Sequence, residues 1–428
     1  MVLVELFDSE PIENIAGFIT TKPRKVIFIG EKKKIERFEK IFRRVADERG
    51  LSTEFDSRAV NRNYLQNMVE VLESIVKESS ENDSHEEIVF DLCGGDDLML
   101  VAAGIVYKSH QDIVQLQRYN IYTNKMIDCD EHVVMESDED IVMPIEEFMM
   151  IHGGCVVHSE YNSKSNTRWE NSPELKEDVL KMWGICTKNS RDWNRNVGIT
   201  AKFASKASSA DLNAYVNLSG ERKDIKNSYN AFLKKLLKAG VVEKVKNEGN
   251  LYTFSFKNKK IKQCLTKEGV LLELYVTLIA ENVQEDGRDV YDDVMMGVKI
   301  DWDGVIGETP GHEVENEIDV ILMRGMRPVF ISCKNGSFFQ EELFKLSAVA
   351  EKFGGKYVQK VLITNYLSSR DNPLRKENRN TYDGEENSNS LKKRLLWNRA
   401  IELNIKIVCR EAIQNESLTS ETIRNLYK

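Results

Sequence analysis

The stretch NEIDVILMRGMRPVFISCKNG, which runs from Asn316 to Gly336, has the pattern of a β-hairpin. Two apolar runs flank a short basic segment that contains one glycine. That glycine, Gly325, suits the first central position of a two-residue type II′ turn, with Met326 as the second. A hairpin with this turn has a defined register, so the residues that face each other across the strands follow from the sequence.

Four polar residues of the hairpin are predicted to share one face. With the turn at Gly325, Asp319 lies opposite Ser332 and Glu317 lies opposite Lys334. Because side chains alternate along each strand, all four project on the same side of the sheet. Two acids, a hydroxyl and a lysine would then stand together. A solvated amphipathic hairpin without any chemistry is the alternative that the spacing leaves open.

Asp319 on one strand and Ser332-Cys333-Lys334 on the next resemble the D…(D/E)xK core of restriction-endonuclease-like nucleases. The segments NEIDV and ISCKNG are also similar to the C-terminal domain of CRISPR ancillary nucleases that are activated by cyclic oligoadenylate. This resemblance implies a catalytic group made of Asp319, Lys334, Ser332 and Glu317. It further implies a Mn²⁺ or Mg²⁺ ion held by Asp319, Glu273 and the backbone carbonyl of Cys333.

The sequence departs from this family pattern at Ser332, where a second carboxylate is usual. Serine is a poor ligand for a hard cation compared with a carboxylate. Glu317 on the predicted face and Glu273 on the preceding helix are the two candidates to replace the missing acid. The choice between them stays open at the level of the sequence.

Length and composition indicate a globular protein with more than one domain. The chain has 428 residues, for which about two or three domains are expected. Its formal net charge is −9, so contact with nucleic acid must be local rather than a bulk attraction. No apolar run approaches the roughly 20 residues that span a bilayer, and the first residues lack a signal-peptide pattern. Scattered cysteines without a CxxC pair fit a reducing compartment, so we expect a cytoplasmic protein without a membrane partner.

Short apolar runs alternate with helical patterns in the first part of the chain. Residues 3–6, 25–30 and 87–92 have the pattern of buried strands, with a further strand near 51–55. The order β-α-β-α-β-α-β implies a doubly wound sheet. Two later β-rich segments, 113–129 and 132–137, predict a hairpin that extends this sheet.

A glycine pair, Gly94 and Gly95, stands between the last of these buried strands and a helix. Glycines at such a turn allow backbone N–H groups to approach a phosphate, and ligands bind at the carboxyl ends of strands in open α/β sheets. A purely structural turn is the alternative. Asp96 is a good helix N-cap, and its charge would repel a phosphate.

The segment FDLCGGDDLMLVAAG is similar to the glycine-glycine ligand loop of the CRISPR-associated Rossmann-fold sensor domain, and the pattern of residues 14–30 is similar to its N-terminus. The resemblance implies a pocket for a cyclic oligoadenylate, with cyclic tetra-adenylate as the expected ring. The implied pocket residues are Asp8, Ser9, Glu10, Glu31, Lys32, Gly94, Gly95 and Asp96. Asp96 and Asp97 replace the threonine and lysine often found in the family, which leaves the ring size open.

The middle of the chain has a different pattern. Residues 160–205 are polar, with one helix predicted at 173–186, and suggest a hinge. A basic helix and a hairpin that turns at residues 248–250 resemble a winged-helix module. Such a module can bind nucleic acid through its lysines or serve as a spacer, and we favour the spacer. From residue 263 a helix, three strands, a helix and a strand follow, as expected for the nuclease core.

We therefore predict an α/β protein of three parts: a doubly wound Rossmann-like sensor domain (1–159), a hinge with a winged-helix-like linker (160–260) and a restriction-endonuclease-like nuclease domain (261–428). The resemblance implies a homodimer, since a two-fold ring fits across a two-fold axis. It implies single-stranded RNA or DNA as substrate, cut in type III CRISPR defence. A ligand-responsive winged-helix transcriptional regulator with a decayed nuclease domain is the alternative that Ser332 favours.

Overall fold

The computed structural model describes residues 1–7, 10–82, 86–129, 141–157, 172–204, 211–302, 315–374 and 388–427. Among the predicted features, Asp8, Ser9 and the β-rich segment 132–137 lie outside the described residues.

The first six strands form one sheet. Their bounds are β1 (Val2–Leu6), β2 (Lys25–Gly30), β3 (Glu54–Ala59), β4 (Ile88–Asp91), β5 (Val114–Asn120) and β6 (Lys125–Asp128). The order is β3-β2-β1-β4-β5-β6, with β1 to β5 parallel and β6 antiparallel to β5. The strand order reverses beside β1, which is the topology of a doubly wound Rossmann-like sheet. The fold predicted for the first part of the chain is confirmed.

Helices pack on both faces of this sheet. They are α1 (Ile12–Thr21), α2 (Lys32–Arg49), α3 (Leu65–Asn82), α4 (Asp97–Ser109) and α5 (Ile145–Ile151). The apolar residues of α1, α2 and α5 belong to one core, and those of α3 and α4 belong to another on the opposite face. Gly50 ends α2 with a φ of +65°, the left-handed conformation that glycine adopts readily, as the sequence predicts. A short strand β7 (Cys155–Val156) follows α5.

The middle part contains a small three-stranded sheet and four helices. The elements are α6 (Pro173–Cys186), α7 (Ser190–Ala204), β8 (Asn213–Asn217), α8 (Lys223–Ala239), β9 (Val242–Glu248), β10 (Leu251–Phe256) and α9 (Lys259–Thr266). The sheet order is β8-β10-β9, and β9 and β10 pair about a two-residue turn at Gly249 and Asn250. The predicted helix and wing are present.

The expectation of a single helix between residues 160 and 205 is wrong, because α7 follows α6 almost directly. The polar composition of α7 concealed its apolar stripe. Trp193, Val197, Thr200 and Ala204 recur at helical spacing and are all buried. The helix is therefore held by one narrow face while the rest of its surface is polar.

The last part of the chain forms a second six-stranded sheet. Its elements are α10 (Val270–Ala280), a small hairpin of β11 (Gln284–Glu285) and β12 (Arg288–Asp289), then β13 (Asp293–Asp301), β14 (Glu315–Arg324), β15 (Arg327–Lys334), α11 (Glu341–Phe353), β16 (Gln359–Thr364), α12 (Ser388–Glu402), β17 (Ile405–Val408) and α13 (Glu416–Arg424). The sheet order is β17-β16-β15-β14-β13-β7. The strands β13, β14 and β15 are antiparallel, while β15, β16 and β17 are parallel. The predicted order of elements is confirmed.

A strand from the first part of the chain joins the second large sheet, and the two sheets pack on a common core. Strand β7, which comes from the first part of the chain, pairs with β13 at the edge of the second sheet. Buried residues of α1, α2 and α5 pack in one continuous core with those of β13, β14 and α11. On the other face of the second sheet, Trp183 of α6 stacks on Tyr275 of α10 with ring centroids 4.7 Å apart. Within the described ranges, no helix has the length and apolar character needed to cross a membrane.

Candidate functional site

The hairpin of β14 and β15 has the predicted turn and register. Gly325 begins a two-residue turn with a φ of +58°, which glycine accommodates without strain. Pairing runs from Arg324 opposite Arg327 at the turn to Val320 opposite Ile331. The local signals in the sequence, a glycine between two alternating apolar runs, were therefore sufficient to set the register.

Beyond the last paired residues, the carboxylate of Asp319 takes the place of a backbone acceptor. Its Oδ2 accepts the backbone N–H of Cys333 at 2.6 Å and the hydroxyl of Ser332 at 3.2 Å. The ammonium group of Lys334 lies 3.5 Å from the same oxygen. On the other side of Asp319, the pairing of β13 with β14 skips Gly297, whose φ is +58°. Asp319 is thus held at an opening in the sheet by groups of β15.

Lys334 has a carboxylate partner that sequence reasoning missed. Its Nζ lies 3.0 Å from Oε2 of Glu342, in the first turn of α11. Burial lowers the pKa of Lys334, but the charges of Asp319 and Glu342 outweigh it and raise the pKa above its ordinary value. An acidic first turn shortly after the strand that ends in lysine was the signal available in the sequence. It did not reveal that the helix start folds back onto the strand end.

Glu317 does not contact Lys334, although the predicted register places the two residues opposite each other. The described ion pairs of Lys334 are with Asp319 and Glu342, and none joins it to Glu317. The cause is that the β14–β15 ladder ends at Val320, so Glu317 is no longer held beside β15. Instead, Glu317 pairs with Lys299 in the ladder with β13. Its side chain is exposed.

Glu273 of α10 lies within electrostatic range of this cluster. Burial raises the pKa of Glu273 to about 8, and the carboxylates of Asp319 and Glu317 add to the shift, while Lys334 opposes it. Asp319, Glu317 and Glu273 therefore share one electrostatic environment. Ionising all three carboxyl groups there costs free energy, and a bound cation would reduce that cost.

The donor chemistry of the cluster fits a hard divalent cation, which prefers carboxylate and carbonyl oxygens. The side chains of Glu273, Glu317 and Asp319 supply carboxylates, and the carbonyl of Cys333 remains a predicted ligand. The thiol of Cys333 is buried, and burial followed by the nearby Asp319 raises its pKa well above the ordinary value, so it stays protonated. Within the described part of the chain, no three acidic, histidine or cysteine side chains already form a metal-holding group.

The four predicted catalytic residues line one small cavity, whereas the predicted metal ligands Glu273 and Cys333 are not part of its wall. Its volume is about 30 Å³, and Glu317, Asp319, Ser332 and Lys334 all contribute to its wall. The wall also includes Glu342 and other residues of α11. The sequence-based grouping of these four side chains on one face therefore agrees with their positions.

In the first sheet, Gly94 and Gly95 form a tight turn between β4 and α4. A Cβ atom on Gly94 would lie 2.4 Å from the backbone oxygen of Leu6 and 2.6 Å from Oδ1 of Asn14. Gly95 has a φ of +87°, and a Cβ there would lie 3.0 Å from Cβ of Leu6. Packing against β1 and α1 thus explains both glycines, and a larger residue would disturb the turn itself.

Asp96 caps α4, as the sequence predicts. Its Oδ1 accepts the backbone N–H of Met99 at 3.1 Å. Its Oδ2 lies 2.6 Å from Nε of Arg62, which follows β3. Arg62 was not predicted, and no local signal connects it with a residue 34 positions away. It places a guanidinium group at the carboxyl ends of the strands, beside the glycine turn.

The other predicted pocket residues lie at the same edge of the sheet, but they make different contacts. Glu10 accepts a hydrogen bond from the backbone N–H of Lys356 at 3.0 Å, and its Oε1 lies 3.2 Å from Nε2 of His152. Burial works against its ionisation, but His152 and the backbone donors lower its pKa. Glu10 therefore connects the predicted ligand loop with the second sheet. Glu31 and Lys32 stand at the start of α2 and are exposed.

A buried pair of acids lies below this edge, and sequence reasoning missed it. Glu5 of β1 and Asp91 of β4 are neighbours in the parallel ladder and are both fully buried. Oε2 of Glu5 accepts from Asn14 at 2.5 Å, and Oδ2 of Asp91 accepts from Gln117 at 2.8 Å. Burial and the proximity of Asp91 raise the pKa of Glu5 well above its usual value, and burial raises that of Asp91 to about 6.

The architecture is that of a Rossmann-like domain joined through a small three-stranded module to a second mixed α/β domain. Solved structures share this architecture over the whole chain. Protein VC1899 from Vibrio cholerae matches with a TM-score of 0.72 at 16% identity, covering 99% of this chain and 97% of that one. Can2 from Sulfobacillus thermosulfidooxidans, solved in complex with cyclic tetra-adenylate, matches with a TM-score of 0.63 at 12% identity. That match covers 100% of this chain and 99% of Can2.

At these identities the likeness establishes a common fold, and it confirms the fold resemblance inferred from the sequence. No protein-family model matches the chain, and no curated protein matches its sequence.

Proposed function

We propose that this protein is a metal-dependent nuclease of type III CRISPR defence that a cyclic oligoadenylate switches on. Single-stranded RNA or DNA is the proposed substrate, with nicking of duplex DNA as a further activity. The observation that carries the proposal is the arrangement around Asp319, whose Oδ2 receives the Cys333 N–H at 2.6 Å beside Lys334 at 3.5 Å. The sequence resemblance and the fold shared with Can2 support it.

Each polar residue around Asp319 has a proposed role. Asp319, Glu273, Glu317 and the carbonyl of Cys333 would hold Mg²⁺ or Mn²⁺, which polarises the scissile phosphate when bound. Lys334 orients or activates the attacking water and balances the charge of the pentacoordinate phosphate. Glu342 holds the ammonium group of Lys334 in position through the contact of 3.0 Å. Ser332 donates to Asp319 and so orients its carboxylate rather than serving as a ligand.

The activator is proposed to bind at the carboxyl ends of β1, β2 and β4. The candidate residues are Asp8, Ser9, Glu10, Glu31, Lys32, Gly94, Gly95 and Asp96, to which Arg62 is added. Support comes from the strand ends, which are the usual ligand edge of a doubly wound sheet, and from Can2, which was solved with cyclic tetra-adenylate. A homodimer with the ring across its two-fold axis is the proposed assembly.

A cleavage assay tests the proposal. Labelled single-stranded RNA and DNA are incubated with the protein, Mn²⁺ and each ring size of cyclic oligoadenylate in turn, with the Lys334→Ala variant as control. We expect cleavage only when both the metal and a ring are present, and none with the variant. Full cleavage in the absence of any ring would contradict the proposed activation by a cyclic oligoadenylate. Cleavage by Lys334→Ala would contradict the proposed active site.

A ligand-responsive transcriptional regulator is the second candidate. The module of α8, β9 and β10 exposes a set of lysines, namely Lys234, Lys235, Lys238, Lys244 and Lys246. Ser332 in place of a carboxylate also favours this candidate. Sequence-specific binding of duplex DNA that depends on these lysines, without cleavage under any metal and ring condition, would establish it in place of the nuclease.

A further inference from the structure

Two arginines face each other at the turn of the β14–β15 hairpin. Arg324 and Arg327 are directly paired across the strands. Like charges in this position repel each other and destabilise a hairpin unless other groups compensate. Arg324 has such a group, because its Nη1 lies 3.1 Å from Oε2 of Glu285. The position of Arg327 is different.

Arg327 has no carboxylate within ion-pair distance in the described part of the chain, although it is half-buried. Its Nη1 donates to the backbone oxygen of Tyr427 at 3.2 Å, and its buried Nε has no hydrogen-bond partner among the described residues. Burial, followed by the charge of Arg324, lowers the pKa of Arg327. A guanidinium group in such a place has donors to offer to an anion.

Arg327 is one wall of a cavity of about 530 Å³ at the start of β15 and β16 in the second large sheet, which Tyr122 from the first part of the chain also lines. Lys356 provides a second cation, and no acidic residue among those described lines the cavity. Three tyrosines complete the wall: Tyr122, Tyr357 and Tyr427. The volume is in the range of sites that bind small organic ligands.

The hydroxyl groups of Tyr357 and Tyr427 are engaged and their rings are only partly exposed, with the Arg324 guanidinium 3.8 Å from the ring centroid of Tyr427, so Tyr122 offers the open ring. The hydroxyl of Tyr357 donates to Glu13 at 2.8 Å, and that of Tyr427 donates to Glu285 at 2.6 Å. Tyr122 is 70% exposed, and the guanidinium of Arg327 lies 5.4 Å from its ring centroid. An exposed aromatic ring beside two cations suits a nucleotide, because the base stacks on the ring while the phosphate meets the positive charge.

We propose that this cavity is a nucleotide-binding site, separate from both the glycine turn and the Asp319 cluster, in which Arg327 and Lys356 hold a phosphate and Tyr122 stacks on the base. The ligand is a nucleotide unit of a single strand or of a cyclic oligonucleotide, since both carry the same phosphate and base. The site lies where Tyr122 of the first sheet meets Arg327 of the second. An occupied cavity would therefore hold the two domains together.

Calorimetric titration of the full-length protein tests the site, with AMP, adenosine and inorganic phosphate as probes. We expect AMP to bind more tightly than either fragment. Tyr122→Ala should weaken AMP binding by about 5- to 100-fold, as for the loss of one base–aromatic stack. Arg327→Gln should weaken it by a similar factor. Matched controls are Tyr215→Ala, which removes another exposed tyrosine, and Arg195→Gln, which removes another surface arginine; both should bind AMP as the unmodified protein does.

Unchanged affinity in both site variants would overturn the proposal, as would phosphate binding as tightly as AMP. Because Tyr122 is exposed, Tyr122→Ala is expected to fold even if Arg327→Gln does not. Competition then identifies the source of the nucleotide. Displacement of AMP by a single-stranded deca-adenylate alone makes the cavity a substrate site, and displacement by cyclic tetra-adenylate alone makes it a second ring site. Failure of both to displace AMP would contradict the proposal.

Discussion

The ammonium group of Lys334 lies 3.0 Å from a carboxylate oxygen of Glu342. This ion pair connects the last residue of β15 with the first turn of α11. It gives Lys334 a second carboxylate partner in addition to Asp319, whose Oδ2 lies 3.5 Å from the same ammonium group. The hairpin register places Glu317 opposite Lys334, but Glu342 is the glutamate that contacts the lysine.

Loss of this contact should lower the cleavage rate. We expect Glu342→Gln to reduce the rate at saturating Mn²⁺ by about 10- to 100-fold, as for the loss of an outer partner of an active-site group. Lys334→Ala should cost about 100- to 1,000-fold, as for the loss of one group that stabilises the transition state. Initial rates on a labelled single strand provide the measurement. Glu341→Gln changes the exposed acid next to Glu342 and should leave the rate unaltered; an equal loss in both variants would contradict the role of Glu342.

Glu317 is expected to act through the metal, because it makes no ion pair with Lys334 and adds to the electrostatic environment of Glu273. Glu317→Gln should raise the Mn²⁺ concentration for half-maximal rate while the rate at saturating metal barely changes. Asp319→Asn should both raise the Mn²⁺ concentration for half-maximal rate and lower the rate at saturating metal. The rise in melting temperature that Mn²⁺ causes, measured without substrate, should be largest in the unmodified protein, smaller in Glu317→Gln and smallest in Asp319→Asn. A lower saturating rate with an unchanged metal requirement would show instead that Glu317 positions another group.

Asp96 lines the proposed ring pocket, and its negative charge should oppose the binding of an anionic ring. Asparagine caps a helix about as well as aspartate, so Asp96→Asn should change the free energy of unfolding by less than about 0.5 kcal/mol. The substitution removes a negative charge and releases Arg62 from the contact of 2.6 Å. Titration with cyclic tetra-adenylate should then show affinity about 2- to 5-fold higher, the size expected for one partly exposed charge. Weaker binding would mean that the carboxylate itself contacts the ring.

The turn and the register of the hairpin could be predicted because they depend on residues close together in the chain. Gly325 and the alternation around it contain the necessary information. The same holds for the Asp96 cap and for the order of the buried strands. Asp319, Ser332 and Lys334 came together in the structure as the pattern indicated.

Contacts between distant segments could not be predicted from such patterns. Arg62 meets Asp96 only because β3 and β4 are parallel strands of one sheet, so their carboxyl ends lie at the same end of it. The partner of Lys334 depends on the direction in which α11 leaves the strand. Glu5 and Asp91 each interrupt an apolar run, but their pairing requires that β1 and β4 be neighbours. These contacts join residues that are far apart in the chain, so no pattern within a short segment of the sequence indicates them.

The buried pair of Glu5 and Asp91 should make the stability depend on pH. Both acids hold their protons to higher pH in the folded protein than in the unfolded chain, since burial raises the pKa of Glu5 well above 4.5 and that of Asp91 to about 6. The unfolded chain therefore binds fewer protons between about pH 4 and these folded values. The free energy of unfolding falls as the pH rises through this window.

Urea unfolding at several pH values tests this dependence. Between about pH 5 and about pH 8, the decline in the free energy of unfolding should be smaller in Glu5→Gln than in the unmodified protein, because one buried titrating group is gone. Glu87→Gln, which changes an exposed acid beside β4, should keep the full decline. Identical slopes in Glu5→Gln and the unmodified protein would show that the buried pair does not titrate in this range.

The central claim is that a ring nucleotide at the first sheet switches on the Asp319 and Lys334 site of the second. The most direct measurement is the rate of single-strand cleavage at saturating Mn²⁺, with and without cyclic tetra-adenylate, in the unmodified protein and in Lys334→Ala. We predict that the ring raises the rate of the unmodified protein by at least about 100-fold, the scale of one group's contribution to transition-state stabilisation, and that the variant stays at the background rate. An equal rate with and without every ring size, or full activity in Lys334→Ala, would contradict the account.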